Sequence, residues 1–349
     1  MQGKNQHYVP QLYLRRFSID GDNTTMKGFV VDKNIFVESG PIKHQASENN
    51  FYGESDKLNA SIESFMTVFL KRIDKRKITY SKKGLNRFVQ LLTHLDLRNP
   101  IRMEGFKAQV DNVRDSFLKE TSEGRYDDVV PWLDKSLIRQ LVTHLINDRT
   151  PKMREDMTPK LILAVHKIAG MMHDVKVKLI ENYTSSPFIT SDHPTVVYNQ
   201  FFEKNGLGNI NGYGNKGVQM FLPVDSKCLI LIYDHKIYNV GVFGINKVKI
   251  TDDRDVDQLN LLQMYNSINS VYGNEMFTKP YALHLKRLMS IEKSRAENTM
   301  CIDRIDLKLN FIALKRIARH YCRSGGFNQL RDNGIGYQDI FGQKSTRAL

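Results

Sequence analysis

Cysteine is scarce in this chain, with three residues in 349, at Cys228, Cys301 and Cys322. Three scattered thiols make neither a disulfide framework nor a cysteine-rich zinc site, and they point to a reduced, cytoplasmic compartment. Long apolar runs are missing as well. Cys228–Tyr233 is among the longest and falls far short of the ~18 residues that span a bilayer. Met1–His7 has no apolar core, so neither a secretion signal nor a membrane association is expected. No G-x-x-x-x-G-K-[ST] phosphate loop occurs, and Gly206, Gly208, Gly212 and Gly214 do not fit a strand–glycine–helix fingerprint. Serine nucleophile elbows and Cys–His signatures are absent.

Burial material is plentiful. The chain has 18 Phe, 15 Tyr and 41% hydrophobic residues, which excludes a disordered chain, and its length suits one large domain or two ordinary ones. Lys and Arg number 51 against 38 Asp and Glu, a formal net charge of +13. That sign favours polyanionic partners, nucleic acid first. The surplus is uneven: His284–Leu349 holds 13 Lys and Arg against 6 Asp and Glu.

Residues 1–55 read as irregular and strand-rich, with Phe29–Val31 and Ile35–Val37 forming a hairpin around Asp32–Asn34. Leu58, Ile62, Phe65, Phe69 and Ile73 recur at helical spacing and predict a helix over 57–80. A second helix is expected over Leu85–Asn99, its apolar face built from Leu85, Phe88, Leu92 and Leu95 and its end set by Pro100. Further helices are expected over 101–120, 132–146 and 158–173. The texture then changes to β-type runs at Val175–Ile180, Phe188–Ile189, Thr195–Tyr198, Met220–Leu222, Cys228–Tyr233 and Val240–Phe243, with Asn205–Asn215 as a loop. Helices return from Asp255, with Val256, Leu259, Leu262 and Tyr265 on one face, and again over Leu307–Tyr321. The predicted fold class is α+β, with a mixed or antiparallel sheet and a large helical portion. A main domain over 1–275 holds a helical segment at about 57–173 and a strand-rich one at about 175–250. A basic helical extension and tail follow over 276–349.

Several stretches together resemble the domain of unknown function 4238 family of prokaryotic proteins. Gln6-His-Tyr-Val-Pro10 with Tyr13-Leu14 and Phe17 resembles its N-terminal signature, and Ala46–Gly53 a second block. Phe88–Gln90 through Leu97-Arg98 and Pro100 is similar to its helical block. Phe188–Asp192 with Pro194, then Phe221–Pro223, is similar to its strand block, and Asn260 with Ser270–Tyr272 to its closing helix. The resemblance covers roughly residues 4–275. It implies little chemistry beyond a loose association with bacterial defence and mobile elements.

Three polar residues lie in the best-matched blocks. His7 sits among Tyr8, Tyr13 and Phe17; it is either a general base or phosphate contact, or a cap on an aromatic hook that pins the chain end. Gln90, His94 and Arg98 lie four apart and share one helix stripe with Arg87. That stripe is either a solvated face or a phosphate-facing ridge with Arg98 as bidentate donor and His94 as acid–base group. Asp192, in Ser191-Asp192-His193-Pro194, either carries chemistry at a strand end or satisfies turn backbone. His173-Asp174 with His166, His144 and Asp148 lacks the ligand count and geometry of a metal centre, so no metal and no cofactor is expected. Lys308, Lys315, Arg316, Arg319 and Arg323 on the C-terminal helix form a candidate phosphate-tracking face.

The leading functional expectation is a protein that engages nucleic acid, DNA or RNA, or nucleotide. Its candidate chemistry is metal-independent phosphodiester hydrolysis by His7, Arg98 and Asp192, in bacterial defence or an accessory role. The alternative is a non-catalytic interaction or scaffold module. Whether the three residues share one pocket, or are each satisfied by backbone, separates the two.

Overall fold

The computed structural model describes residues 5–49, 51, 56–75, 82–100, 165, 168–201, 212–298 and 307–315. The helices expected over 101–120 and 132–146, with His144, Asp148 and His166, lie outside these residues, as do Arg316, Arg319 and Arg323.

In chain order, the N-terminal part holds β1 (Asn5–His7), α1 (Gln11–Leu14), β2 (Thr25–Val30), β3 (Ile35–Pro41) and β4 (Ser47–Asn49). The helices α2 (Asp56–Asp74) and α3 (Lys82–Leu97) follow. A strand-rich part comprises β5 (Lys176–Asn182), β6 (Thr190–Ser191), β7 (Val196–Tyr198), β8 (Gln219–Asp225), β9 (Cys228–Tyr233), β10 (Tyr238–Val240) and β11 (Lys247–Ile250). The remainder is α4 (Asp253–Asn266), β12 (Ser270–Gly273), α5 (Lys279–Asn298) and β13 (Ile312–Leu314). The class is α+β. A five-stranded sheet runs β11-β5-β9-β8-β7 and a four-stranded one β3-β2-β12-β6, beside the two-stranded pairs β1-β4 and β10-β13. Only the β11–β5 pairing is parallel among the described strands.

The central sheet is covered on both faces, which is why β9 reads as an unbroken apolar run. Cys228, Ile230 and Ile232 face one core, shared with α2, α3 and the N-terminal hook of Tyr8, Val9, Tyr13, Leu14 and Phe17. Leu229, Leu231 and Tyr233 face the other, shared with Val256, Leu259 and Leu262 of α4. The period-two alternation of a strand thus feeds two cores from one segment. The expected hairpin forms, with Val30 opposite Ile35.

Three readings of the sequence are corrected. The Gln90–His94–Arg98 stripe is not a solvated face: Gln90, His94 and Arg98 are each at most 2% exposed. An amphipathic pattern places polar residues away from the apolar core, but here other parts of the chain come down on the polar side too. Leu307–Lys315 is not helical either. Leu307 and Leu309 are buried, and β13 pairs antiparallel with β10. The spacing of 307, 311 and 314 suits a helix, but pairing with the free edge of β10 satisfies the same backbone groups and overrides local preference. The run expected over Val240–Phe243 also stops at Val240, because Gly241 turns into left-handed backbone at φ +53°.

Candidate functional site

The segment 187–195 is gripped by one face of α4. Asn260 accepts from the Ile189 amide at 3.0 Å and donates to the Pro187 carbonyl at 2.8 Å. Gln263 accepts from the Ser191 hydroxyl at 2.9 Å and donates to the Pro194 carbonyl at 2.9 Å. Asn266 donates to the carbonyls of His193 and Thr195 at 2.6 and 3.0 Å. Three amide side chains at a spacing of three make a ladder that no apolar face would provide, because this stretch is short of sheet partners for its backbone.

Asp192 is turned the other way. Its carboxylate accepts from the backbone amides of Ile268 (2.7 Å), Asn269 (2.8 Å) and Ser270 (3.0 Å), clamping the turn between α4 and β12. Burial pushes this carboxyl above its ordinary range, against the pull of the three N–H groups.

The adjacent His193 reaches α3. Its Nε2 lies 2.7 Å from Asp96 Oδ1 and 2.8 Å from the Asn99 side-chain amide. Asp96 also accepts from the Tyr213 hydroxyl. The end of α3 and the residues just after it thus tie together the 190s segment and residue 213, and all four groups are buried. Arg98, immediately after α3, donates from Nη2 to the main-chain oxygen of His7 at 2.8 Å. The His7 ring is engaged on both nitrogens. Nδ1 donates to the Gln45 carbonyl at 3.0 Å, and Nε2 accepts from the Gln11 amide at 2.8 Å. Burial first, and then the Arg98 charge, lower the His7 pKa against the pull of the Gln45 hydrogen bond.

His94 stands 3.4 Å from Arg98 Nη1 through Nε2. The guanidinium is donor only, so the ring proton sits on Nδ1, which has no hydrogen-bond partner among the described residues. Burial and the Arg98 charge hold this ring well below the usual histidine range, so it is neutral at pH 7.

The blocks around His7, Arg98 and Asp192 therefore meet in one buried polar network. Arg98 touches His7 directly, and Asp192 adjoins the histidine that α3 holds. The charged groups of Arg98 and Asp192 are directed at main-chain atoms. Sequence reasoning named the three positions. It missed Asp96, Asn99, Tyr213, Gln263 and Asn266, whose partners lie 69–117 residues away.

A second feature lies on the opposite core, where β5, β10 and β13 meet. It is an open groove of about 740 Å³ whose lining includes Lys176, Lys178, Lys315, His235, Tyr233 and Phe243. Among the described residues, three lysines and no carboxylate line it. Lys178 donates to the Val242 carbonyl at 2.9 Å and to that of Ile245; Lys315 donates to the His235 carbonyl at 2.7 Å. Lys176 sits over the Phe243 ring, 5.4 Å from its centroid. None of the three makes an ion pair among the described residues. Burial, and then the Lys176 charge, lower the pKa values of both Lys178 and His235.

Of the expected basic face, Lys315 lines this groove, while Lys308 is exposed outside its lining. Lys176 and Lys178 were legible in principle. Val175-Lys-Val-Lys-Leu alternates with period two, so both lysines point to the same side of β5.

Among the described residues no cluster of three or more His, Cys, Asp or Glu could hold a metal ion. His173 Nδ1 instead lies 3.1 Å from the Gly170 carbonyl. No helix among the described residues is long and apolar enough to cross a membrane.

No curated protein and no solved structure matches this chain. A family model does match it, over residues 5–276, and the match takes in the N-terminal hook, α3, the 187–195 segment and β12. The chain belongs to the family described as protein of unknown function (DUF4238).

Proposed function

We propose that this protein engages nucleic acid or nucleotide through phosphate groups seated in the β5–β10–β13 groove. One observation carries the reading: three lysines, and no carboxylate among the described residues, line a concave surface. Uncompensated cations in a cleft attract polyanions, and low-dielectric walls strengthen the field. The net charge of +13 supports the same partner class. In this reading the network of His7, Arg98 and Asp192 is scaffold. It locks the N-terminal hook and the 190s segment onto α3 and so fixes the sheet that carries the groove.

The test is binding of a labelled oligonucleotide to the full chain across a salt series. Affinity should fall linearly on a log–log plot, and Lys176→Gln and Lys315→Gln should each reduce the slope by about 1. Equal affinity and slope in both variants would remove the groove from the binding surface.

Metal-independent phosphodiester hydrolysis is a second reading, favoured by Arg98 Nη2 lying 2.8 Å from the main-chain oxygen of His7, which brings a guanidinium to the residue that carries the imidazole. An imidazole held neutral at pH 7 is in the state that accepts a proton, and a guanidinium stabilises developing phosphate charge. Cleavage that persists in chelator and is lost in folded His7→Ala protein supports it. The absence of cleavage leaves the binding reading intact.

A further inference from the structure

The loop between β10 and β11 exposes apolar residues that a folded chain normally hides. Phe243 is 90% exposed, Val242 64% and Ile245 51%. The loop is nevertheless firmly held. Gly241 and Gly244 supply left-handed turns at φ +53° and +78°. A Cβ at Gly241 would lie 2.6 Å from Val248 Cγ2, so the close approach also requires glycine. Lys178 ties the Val242 and Ile245 carbonyls together from below. The Gly241 amide donates to the Phe311 carbonyl at 3.0 Å, and the Leu179 amide to that of Asn246 at 2.9 Å. Phe243 is thus presented on a fixed platform at the rim of the cationic groove.

Resting on the phosphate-binding reading above, we infer that the groove takes single-stranded nucleic acid, with an unpaired base stacked on Phe243. A pinned exposed aromatic ring beside a run of lysines supplies the two components of such sites: a stacking face for the base and cations along the backbone. In a duplex the base faces are already stacked on each other, so the ring has nothing to cover. An anionic lipid surface also attracts apolar tips ringed by lysine. The geometry favours the strand, because Lys176 and Lys315 line a concave groove of about 740 Å³. A flat headgroup layer does not follow a concave surface, while a strand's backbone can.

The experiment measures fluorescence anisotropy of the full chain with a labelled 12-nucleotide strand, its duplex, and the same strand carrying abasic sites. The parent should bind the strand more tightly than the duplex or the abasic strand. Phe243→Ala should weaken strand binding by about 5- to 150-fold, the range expected for one lost stacking contact, with the salt slope unchanged. Phe243→Tyr should restore it. At 90% exposure the ring contributes little to folding, and thermal unfolding of each variant checks that. Equal strand and duplex affinity, with Phe243→Ala unchanged and Lys176→Gln still lowering the salt slope, overturns the stacking inference alone. No binding of any strand by the parent overturns both the inference and the reading beneath it. Phe243→Ala that loses binding to phosphatidylserine vesicles but keeps strand affinity assigns the loop to a lipid surface and overturns the inference.

Discussion

Replacing Asp192 by Ala separates a structural carboxylate from a chemical one. The side chain is 2% exposed and accepts three backbone hydrogen bonds, from Ile268, Asn269 and Ser270. Truncation leaves those three N–H groups without a partner. A buried orphan donor costs ~1–3 kcal/mol. Asn269 is an exposed residue, so water can reach part of the turn, and relaxation relieves some of the rest. The expected loss is therefore about 2–4 kcal/mol rather than the full sum. The turn feeds β12, which carries both β2 and β6, so the loss should appear in cooperative unfolding of the whole body. The assay is urea denaturation followed by far-UV circular dichroism, comparing midpoints at constant slope. Asp192→Asn should fall between parent and Ala, because the amide keeps one acceptor and turns a donor toward the turn. A loss below ~1 kcal/mol in Asp192→Ala would refute the clamp and return the carboxylate to the list of groups available for chemistry.

Three further outcomes are expected. Tyr13 donates to the Pro223 carbonyl at 2.6 Å and lies 2.8 Å from the Thr190 hydroxyl, fully buried; Tyr13→Phe should cost ~1–3 kcal/mol in the same denaturation assay. An alanine at Gly273 would bring its Cβ within 2.5 Å of Phe277 Cβ, so Gly273→Ala should cost ~1–3 kcal/mol by overpacking, and an unchanged melting temperature would contradict the packing at β12. His94 has a depressed folded-state pKa, so below its unfolded value of about 6.5 the unfolded chain takes up a proton that the fold refuses. Stability should hold above pH 6.5 and then decline by up to ~1.4 kcal/mol per pH unit as the solution is acidified. His94→Gln should flatten that decline, and an identical pH profile in the two proteins would show that the ring is accessible to protons.

The sequence by itself determined many of the secondary elements, the central strand among them. Helical spacing at Phe69 and Ile73, the hairpin around Asp32–Asn34 and the apolar run Cys228–Tyr233 are local patterns, and a local pattern is enough to mark a helix, a turn or a strand. The family blocks were legible for the same reason, as short strings. What lay beyond reach was every decision made by a distant partner. Whether the Gln90–His94–Arg98 stripe met water or protein depended on what covered α3, where Arg98 meets His7 across 91 positions and Asn99 meets His193 across 94. Whether Leu307–Lys315 coiled or extended depended on the open edge of β10. Whether Asp192 was free for chemistry depended on three amides 76 to 78 residues further on. The groove arises in the same way: Lys176 and Lys178 share a face by strand alternation, but Lys315 and Phe243 join them only because β13 pairs with β10 and the loop after it is pinned. Periodicity is set within a few residues of the chain, whereas burial and the sign of a cleft are set by what packs against it.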